Sequence, residues 1–240
     1  MDKDKPIIAL DFKSAEETRT FLDLFSHESL NVKVGMELFY AAGPDFVREI
    51  VEMGHAIFLD LKCYDIPNTV RSAMAQLAEL GVSMVNVHAS GGVEMMQAAK
   101  EGLLEGTKAG QKSPILIAVT QLTSREDETN QFEQQLAITQ EESILHLAGL
   151  TEKSGLDGVV CSPLEARQIK EKVGTSFLTV TPGIRNADES IAKDDQVRIT
   201  TPSKAAEWGS DYIVVGRPIT KASNPVKAYE IIAKEWKNAR

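Results

Sequence analysis

Cysteine is nearly missing from this chain: two in 240 residues, Cys63 and Cys161, too few for a disulfide framework. Both lie inside apolar, strand-like runs and read as reduced thiols of a core. No stretch approaches the ~18 consecutive apolar residues that a membrane-spanning helix needs. The apolar run in the N-terminal MDKDKPIIALDF is too short for a secretory leader, so the expected location is cytoplasmic. Histidine is sparse and scattered, at His27, His55, His88 and His146, which offers no nitrogen-rich metal centre. No GxGxxG turn follows the first strand-like run, so the usual mark of an open dinucleotide-binding sheet is absent. Basic residues are outnumbered 26 to 35, for a net charge of −9, and that balance argues against a nucleic-acid surface or an anionic membrane as partner. An anionic small molecule would need cations gathered locally.

Against these absences stands a regular alternation. Apolar runs bounded by turn residues recur at 7–12, 31–35, 56–62, 84–89, 114–119, 157–162, 177–183 and 212–217, eight in all. Segments with helical spacing follow them at 14–26, 44–53, 67–80, 92–105, 139–153, 163–172, 202–208 and 224–236. Ser14 with Glu17 and Thr139 with Glu142 read as capping boxes, Pro163 and Pro225 stand near helix starts, and Gly54, Gly81 and Gly155 sit where helices should stop. Strands and helices alternating at intervals of roughly 25 residues imply parallel pairing through right-handed crossovers. Eight such units suit closure, so the expected fold is a single (β/α)8 TIM barrel over residues 1–240.

The stretch 56–69, AIFLDLKCYDIPNT, is where an apolar strand ends in charge. Strand alternation puts Asp60 and Lys62 on one face and Leu59, Leu61 and Cys63 on the other. Asp65 follows in the loop, and Pro67 suits the first turn of a helix. Asp11, Lys33, Asp60, Lys62, His88, Thr123, Arg185 and Arg217 all fall at or just beyond strand carboxyl ends, the face on which barrel active sites assemble. If Lys33, Asp60, Lys62 and Asp65 pack together, the carboxylates hold Lys62 protonated. Such a lysine donates a proton; it is poorly suited to a Schiff base, and the quartet lacks the Ser–His or Cys–His pair of covalent hydrolases. It suits a reaction that develops negative charge on carbon. A Mg²⁺ site needs only one or two carboxylates, but the two lysines beside them weigh against it. His88 reads as structural before catalytic. IVVGRPI, with Gly216 and Arg217, joins TPGIR, with Pro182 and Arg185, and Gln196 as an anion clasp where barrels commonly hold phosphate. The polar run 124–138 reads as a solvated loop and helix face, and 184–199 as a lid on the upper rim.

The run Asp60-Leu-Lys62-Cys-Tyr-Asp65-Ile-Pro-Asn-Thr69 resembles the DxKxxDIPNT signature of the orotidine 5'-monophosphate decarboxylase family, in its shorter bacterial form. ALDF, KVG, VNVHASGG, LTS, TPGIR, DDQVR and VVGRPI extend the likeness along nearly the whole chain. The resemblance implies decarboxylation of orotidine 5'-monophosphate to UMP without metal or organic cofactor. Lys62 would protonate C6, with Asp60 beside the substrate carboxylate and Lys33 in the charge network. It further implies a homodimer in which Asp65, Ile66 and Thr69 reach the neighbouring site. Asp11 and Lys33 would contact the ribose and Thr123 the pyrimidine, with Pro182 near the ring. Arg185, Gln196, Gly216 and Arg217 would hold the phosphate. A Mg²⁺-dependent sugar-phosphate decarboxylase or aldolase of similar DxKxxD pattern is the enzymatic rival, though Lys33 and the IPNT continuation favour the nucleotide enzyme. A non-catalytic nucleotide-binding barrel is the rival from another class; it has no need of a proton-donating lysine.

Overall fold

Valine-rich alternation sets the architecture. In the computed structural model, which describes residues 1–124, 127–185 and 199–240, the strands are β1 (Ile7–Ala9), β2 (Asn31–Gly35), β3 (Ala56–Cys63), β4 (Met84–His88), β5 (Ile115–Val119), β6 (Gly158–Val160), β7 (Leu178–Thr181) and β8 (Tyr212–Val215). Each pairs in parallel with the next, and β8 returns to β1 through Ile7 with Val214 and Ile8 with Val215, closing the barrel. The helices are α1 (Ala15–Asp23), α2 (Met36–Glu52), α3 (Pro67–Glu79), α4 (Gly92–Gly106), α5 (Asp127–Gln134), α6 (Gln140–Lys153), α7 (Pro163–Val173), α8 (Pro202–Glu207), α9 (Arg217–Thr220) and α10 (Pro225–Asn238). This is the TIM barrel expected from the alternation.

Side chains that alternate along each strand divide into two cores. Ile7, Ala9, Phe58, Met84, Ile117, Val180, Tyr212 and Val214 form one cluster, which plugs the barrel. Ile8, Val32, Val34, Ile57, Leu59, Val85 and Val87 belong to the other, where the strands meet the helices. Leu61 and Cys63 pack on that outer core as well. The residues between the outward valines, Lys33 on β2 and Asn86 on β4, therefore turn inward. Burial raises the thiols of Cys63 and Cys161 above their ordinary range, which disfavours the thiolate form of each.

Local chemistry explains the helix ends. Ser14 accepts the Glu17 N–H at the start of α1, while Thr139 with Glu142 and Ser162 with Glu165 form complete capping boxes on α6 and α7. The α2 helix begins at Met36, earlier than the expected 44–53, because a kink joins two helical pieces: Gly43 has φ +78° and Pro44 starts the second. Helices α3 and α4 pack backbone to backbone: a Cβ at Gly102 or Gly106 would run into the carbonyls of Arg71 and Ala75. That close seat fixes α3, and with it the segment that follows β3. Among the described residues, no helix is long and apolar enough to cross a membrane.

Candidate active site

At the carboxyl ends of the strands lies a cavity of about 290 Å³. Its floor is apolar, made by Ala9, Phe58, Val119, Val160 and Val214; its wall on one side is ionic. Register sets Lys33 of β2 beside Phe58 of β3 and Gly35 beside Asp60, so Lys33 and Asp60 lie on adjacent strands two residues out of step, on the same face. Lys33 Nζ lies 3.1 Å from Asp11 Oδ1 and 3.5 Å from Asp60 Oδ2, and Lys62 Nζ lies 2.7 Å from Asp60 Oδ1. Gly35 leaves room for this network, since a Cβ there would stand 3.2 Å from Lys33 Nζ.

Asp60 is the hub, with its side chain only 13% exposed. Burial by itself would raise its carboxyl, but the charges of Lys33 and Lys62 and the hydrogen bonds from Lys62 and Asn86 outweigh burial and hold it below the ordinary carboxylate range. The anion thus persists at neutral pH between two ammonium groups. The β3 backbone is irregular here. Leu59 pairs with Val85 and Cys63 with Val87, so β3 advances four residues while β4 advances two. Within that slip Lys62 takes φ +52°, the left-handed region that a side chain rarely occupies.

The lining also includes Arg185 and Arg217, with Gly216, Pro182 and Gly183. Arg185 Nη1 donates to its neighbour Ile184 O at 2.8 Å, and the main chain pairs Ile184 with Thr200, so this rim is braced. Gln121, Leu122, Thr123 and Ser124 line the side supplied by β5. Gln121 exchanges amide hydrogen bonds with Gln134 of α5 and donates to Ser143 Oγ of α6 at 3.0 Å. The cavity therefore combines two arginines, an alternating charge network and amide and hydroxyl groups in one lining.

Nine residues singled out from sequence meet in this cavity: Asp11, Lys33, Asp60, Lys62, Thr123, Pro182, Arg185, Gly216 and Arg217. Asp65, Ile66 and Thr69 do not; they are exposed on the surface at the head of α3, where Asp65 Oδ1 accepts its neighbour Ile66 N–H at 2.6 Å. Within one chain the fourth member of the charge network is therefore Asp11, and Asp65 stays outside. Gln196 lies outside the described residues, as does most of the lid expected at 184–199. His88 is not on the lining: its ring sits 5.8 Å from that of Tyr64, and burial, with Lys62 nearby, lowers its pKa against a smaller opposing pull from Asp60. Asn86 and Gln121 went unnoticed in the sequence. Asn86 had a readable signal, because Val85-Asn-Val87 repeats the Val32-Lys-Val34 pattern that turns Lys33 inward.

A metal ion fits this donor set poorly. Lys33 Nζ stands between the Asp11 and Asp60 carboxylates, in the place a divalent ion bridging them would take. Among the described residues, no group of three or more His, Cys, Asp or Glu side chains is arranged to hold a metal.

Comparison with known proteins gives a consistent set of likenesses. Residues 4–232 match the family described as Orotidine 5'-phosphate decarboxylase / HUMPS family. The chain is 60% identical over 232 residues to the orotidine 5'-phosphate decarboxylase of Listeria innocua, covering 97% of this chain and 98% of the relative. It is 57% identical over 234 residues to that of Enterococcus faecalis, with 97% and 98% covered. A crystal structure of orotidine 5'-phosphate decarboxylase from Lactobacillus acidophilus superposes with a TM-score of 0.86 at 46% identity, covering 97% of this chain and 98% of that one.

Proposed function

This chain belongs to the orotidine 5'-phosphate decarboxylase / HUMPS family, and on that premise we propose that it converts orotidine 5'-monophosphate to UMP and CO2 in pyrimidine biosynthesis. One observation carries the reading: an ammonium, Lys62 Nζ, is fixed 2.7 Å from a buried carboxylate inside a cavity whose lining also holds two arginines. A nucleotide fits that polarity with its phosphate on Arg185, Arg217 and Gly216 and its base over the apolar floor. Asp11 and Lys33 then face the ribose and Thr123 the pyrimidine, with Pro182 against the ring region.

The step balances as follows. The bond from C6 to its carboxylate breaks, CO2 leaves, and the electron pair stays on C6. That carbon takes a proton from the Lys62 ammonium, and the resulting amine regains its proton from water. No group delocalises the pair, so the site must stabilise charge that exists only near the transition state. A fixed cation does this without reorganising at the moment of reaction. Asp60 positions that cation and stands beside the substrate carboxylate. Phosphate contacts far from C6 contribute binding energy that orients the reacting end.

The assembly we propose is a homodimer in the cytoplasm, each barrel a single domain. Asp65, Ile66 and Thr69 lie at the head of α3 and not on the lining of their own cavity; Ile66 is 66% exposed, and Tyr64 beside them 61%. Presented to a second copy, these residues complete the neighbouring site. A divalent-metal sugar-phosphate reaction is disfavoured by the position of Lys33. The test is loss of orotidine-monophosphate absorbance with and without excess chelator: undiminished turnover supports the reading. Activity abolished by chelator and restored by Mg²⁺ contradicts it, and nucleotide binding without turnover would make the protein a binder.

A further inference from the structure

Asn86 sits on the inner face of β4 at 1% exposure, and both of its side-chain hydrogen bonds go to the charged end of β3. Its Oδ1 accepts Lys62 N–H at 2.8 Å, and its Nδ2 donates to Asp60 Oδ1 at 2.6 Å. The partners dictate which way the amide faces, because a main-chain N–H only donates and an ionised carboxylate only accepts. Lys62 Nζ donates to the same Asp60 oxygen at 2.7 Å. Both ends of Lys62, main chain and tip, are therefore tied to one Asn86–Asp60 unit. The tie falls where the β3–β4 register slips and where Lys62 adopts φ +52°. A left-handed conformation at such a residue persists only when its surroundings hold it. Asn86 supplies the acceptor at that point.

We propose that Asn86 is a positioning residue for decarboxylation: its amide holds the Lys62 main chain in the left-handed turn that aims the ammonium, and orients the Asp60 carboxylate in the same stroke. The inference rests on the reading of Lys62 as proton donor. A merely structural asparagine would fill the same space, and an apolar residue of its size could replace it without touching the chemistry. The Asn86 hydrogen bond also helps to keep Asp60 ionised. Asp60 is faced besides by Lys33 from β2 with Asp11 behind it, by Lys62 on its own strand, and by His88 at the end of β4.

The experiment uses the full chain carrying Asn86→Leu, which is similar in size and makes no hydrogen bond, and Asn86→Asp, which keeps the acceptor and loses the donor. For each, kcat and KM for orotidine 5'-monophosphate, UMP affinity, melting temperature and the pH profile of kcat/KM are measured. A misaimed group costs roughly 10²-fold, so kcat of Asn86→Leu should fall by about that factor, with KM and UMP affinity within about threefold. The acidic limb should move to higher pH in both variants, further in Asn86→Asp, where a second carboxyl faces Asp60. If Asn86→Leu does not fold, the kcat and acidic limb of Asn86→Asp decide. A folded variant with kcat within about threefold of the parent, or a kcat loss with an unmoved limb, overturns the proposal. Failure of the underlying reading looks different: parent-like turnover in Lys62→Ala, or no turnover in the parent, removes the proton-donor role whatever Asn86 does.

Discussion

Asp60→Asn removes one charge from the hub of the network and nearly preserves its shape. In the parent, Asp60 lies 2.7 Å from Lys62 Nζ and 3.5 Å from Lys33 Nζ; at an effective dielectric of ~20 those separations correspond to gross attractions of roughly 6 and 5 kcal/mol. Desolvation of the three groups offsets much of this, and removing one partner of such a buried set costs about 3–5 kcal/mol. Lys62 keeps 26% of its side chain exposed, so the lower end applies. Without the anion, two ammonium groups share the cavity and Lys62 turns away. Restoring it to its aimed, charged state then costs about 3 kcal/mol, which corresponds to a fall in kcat on the order of 10²-fold. KM should not rise, because in the proposed pose the substrate carboxylate enters where a negative charge was removed and can itself face Lys62. The assay is steady-state decarboxylation, with UMP titration as a binding control. A kcat within about threefold of the parent, or a loss borne wholly by KM, would refute the reasoning.

Two further outcomes follow from other parts of the molecule. Arg217→Ala should weaken UMP by about 10- to 100-fold, the worth of a charge-assisted hydrogen bond, while uridine affinity changes by less than about threefold; equal losses for both ligands would remove Arg217 from the phosphate end. His55 is buried at the amino end of the barrel, where Nδ1 accepts Leu30 N–H at 3.1 Å, and burial lowers its pKa. The fold therefore favours the neutral ring: this contribution is complete above the unfolded value of about 6.5 and is lost as pH falls from there through the folded value. Urea unfolding should show the parent losing about 1 kcal/mol more than His55→Gln between pH 7.5 and 5, on the scale of one buried hydrogen bond. Coincident pH dependences in the two proteins would contradict this.

Much of the molecule was legible because burial writes itself as periodicity. Val32-Lys-Val34 and Leu59-Asp-Leu61 give the inward direction of Lys33 and Asp60 from alternation alone, and eight such runs suffice for a closed sheet. The placement of Lys62 beside Asp60 is expected on a simpler ground than the one the structure shows. Regular alternation would place it beside Asp60, yet the backbone reaches that arrangement through a register slip and φ +52°, which only the facing strand can impose. Asn86 was overlooked because an amide between two valines resembles any polar residue in a strand until its partners are known. The early start of α2 was hidden by Gly43-Pro44, a pair that reads as a helix boundary and proves to be an internal kink. Asp65, Ile66 and Thr69 could be named by resemblance, but no single chain gives them a cavity to act in.

The claim on which the account depends is that the Lys62 ammonium delivers the proton to C6. Its most direct test is single-turnover decarboxylation by Lys62→Ala, alongside UMP binding to the same protein. On the proposed reading, losing the Lys62 ammonium removes at least several kcal/mol of transition-state stabilisation, so the rate should fall by about 10³-fold or more while UMP still binds. Decarboxylation within about tenfold of the parent rate, with UMP bound normally, would show that the proton comes from elsewhere.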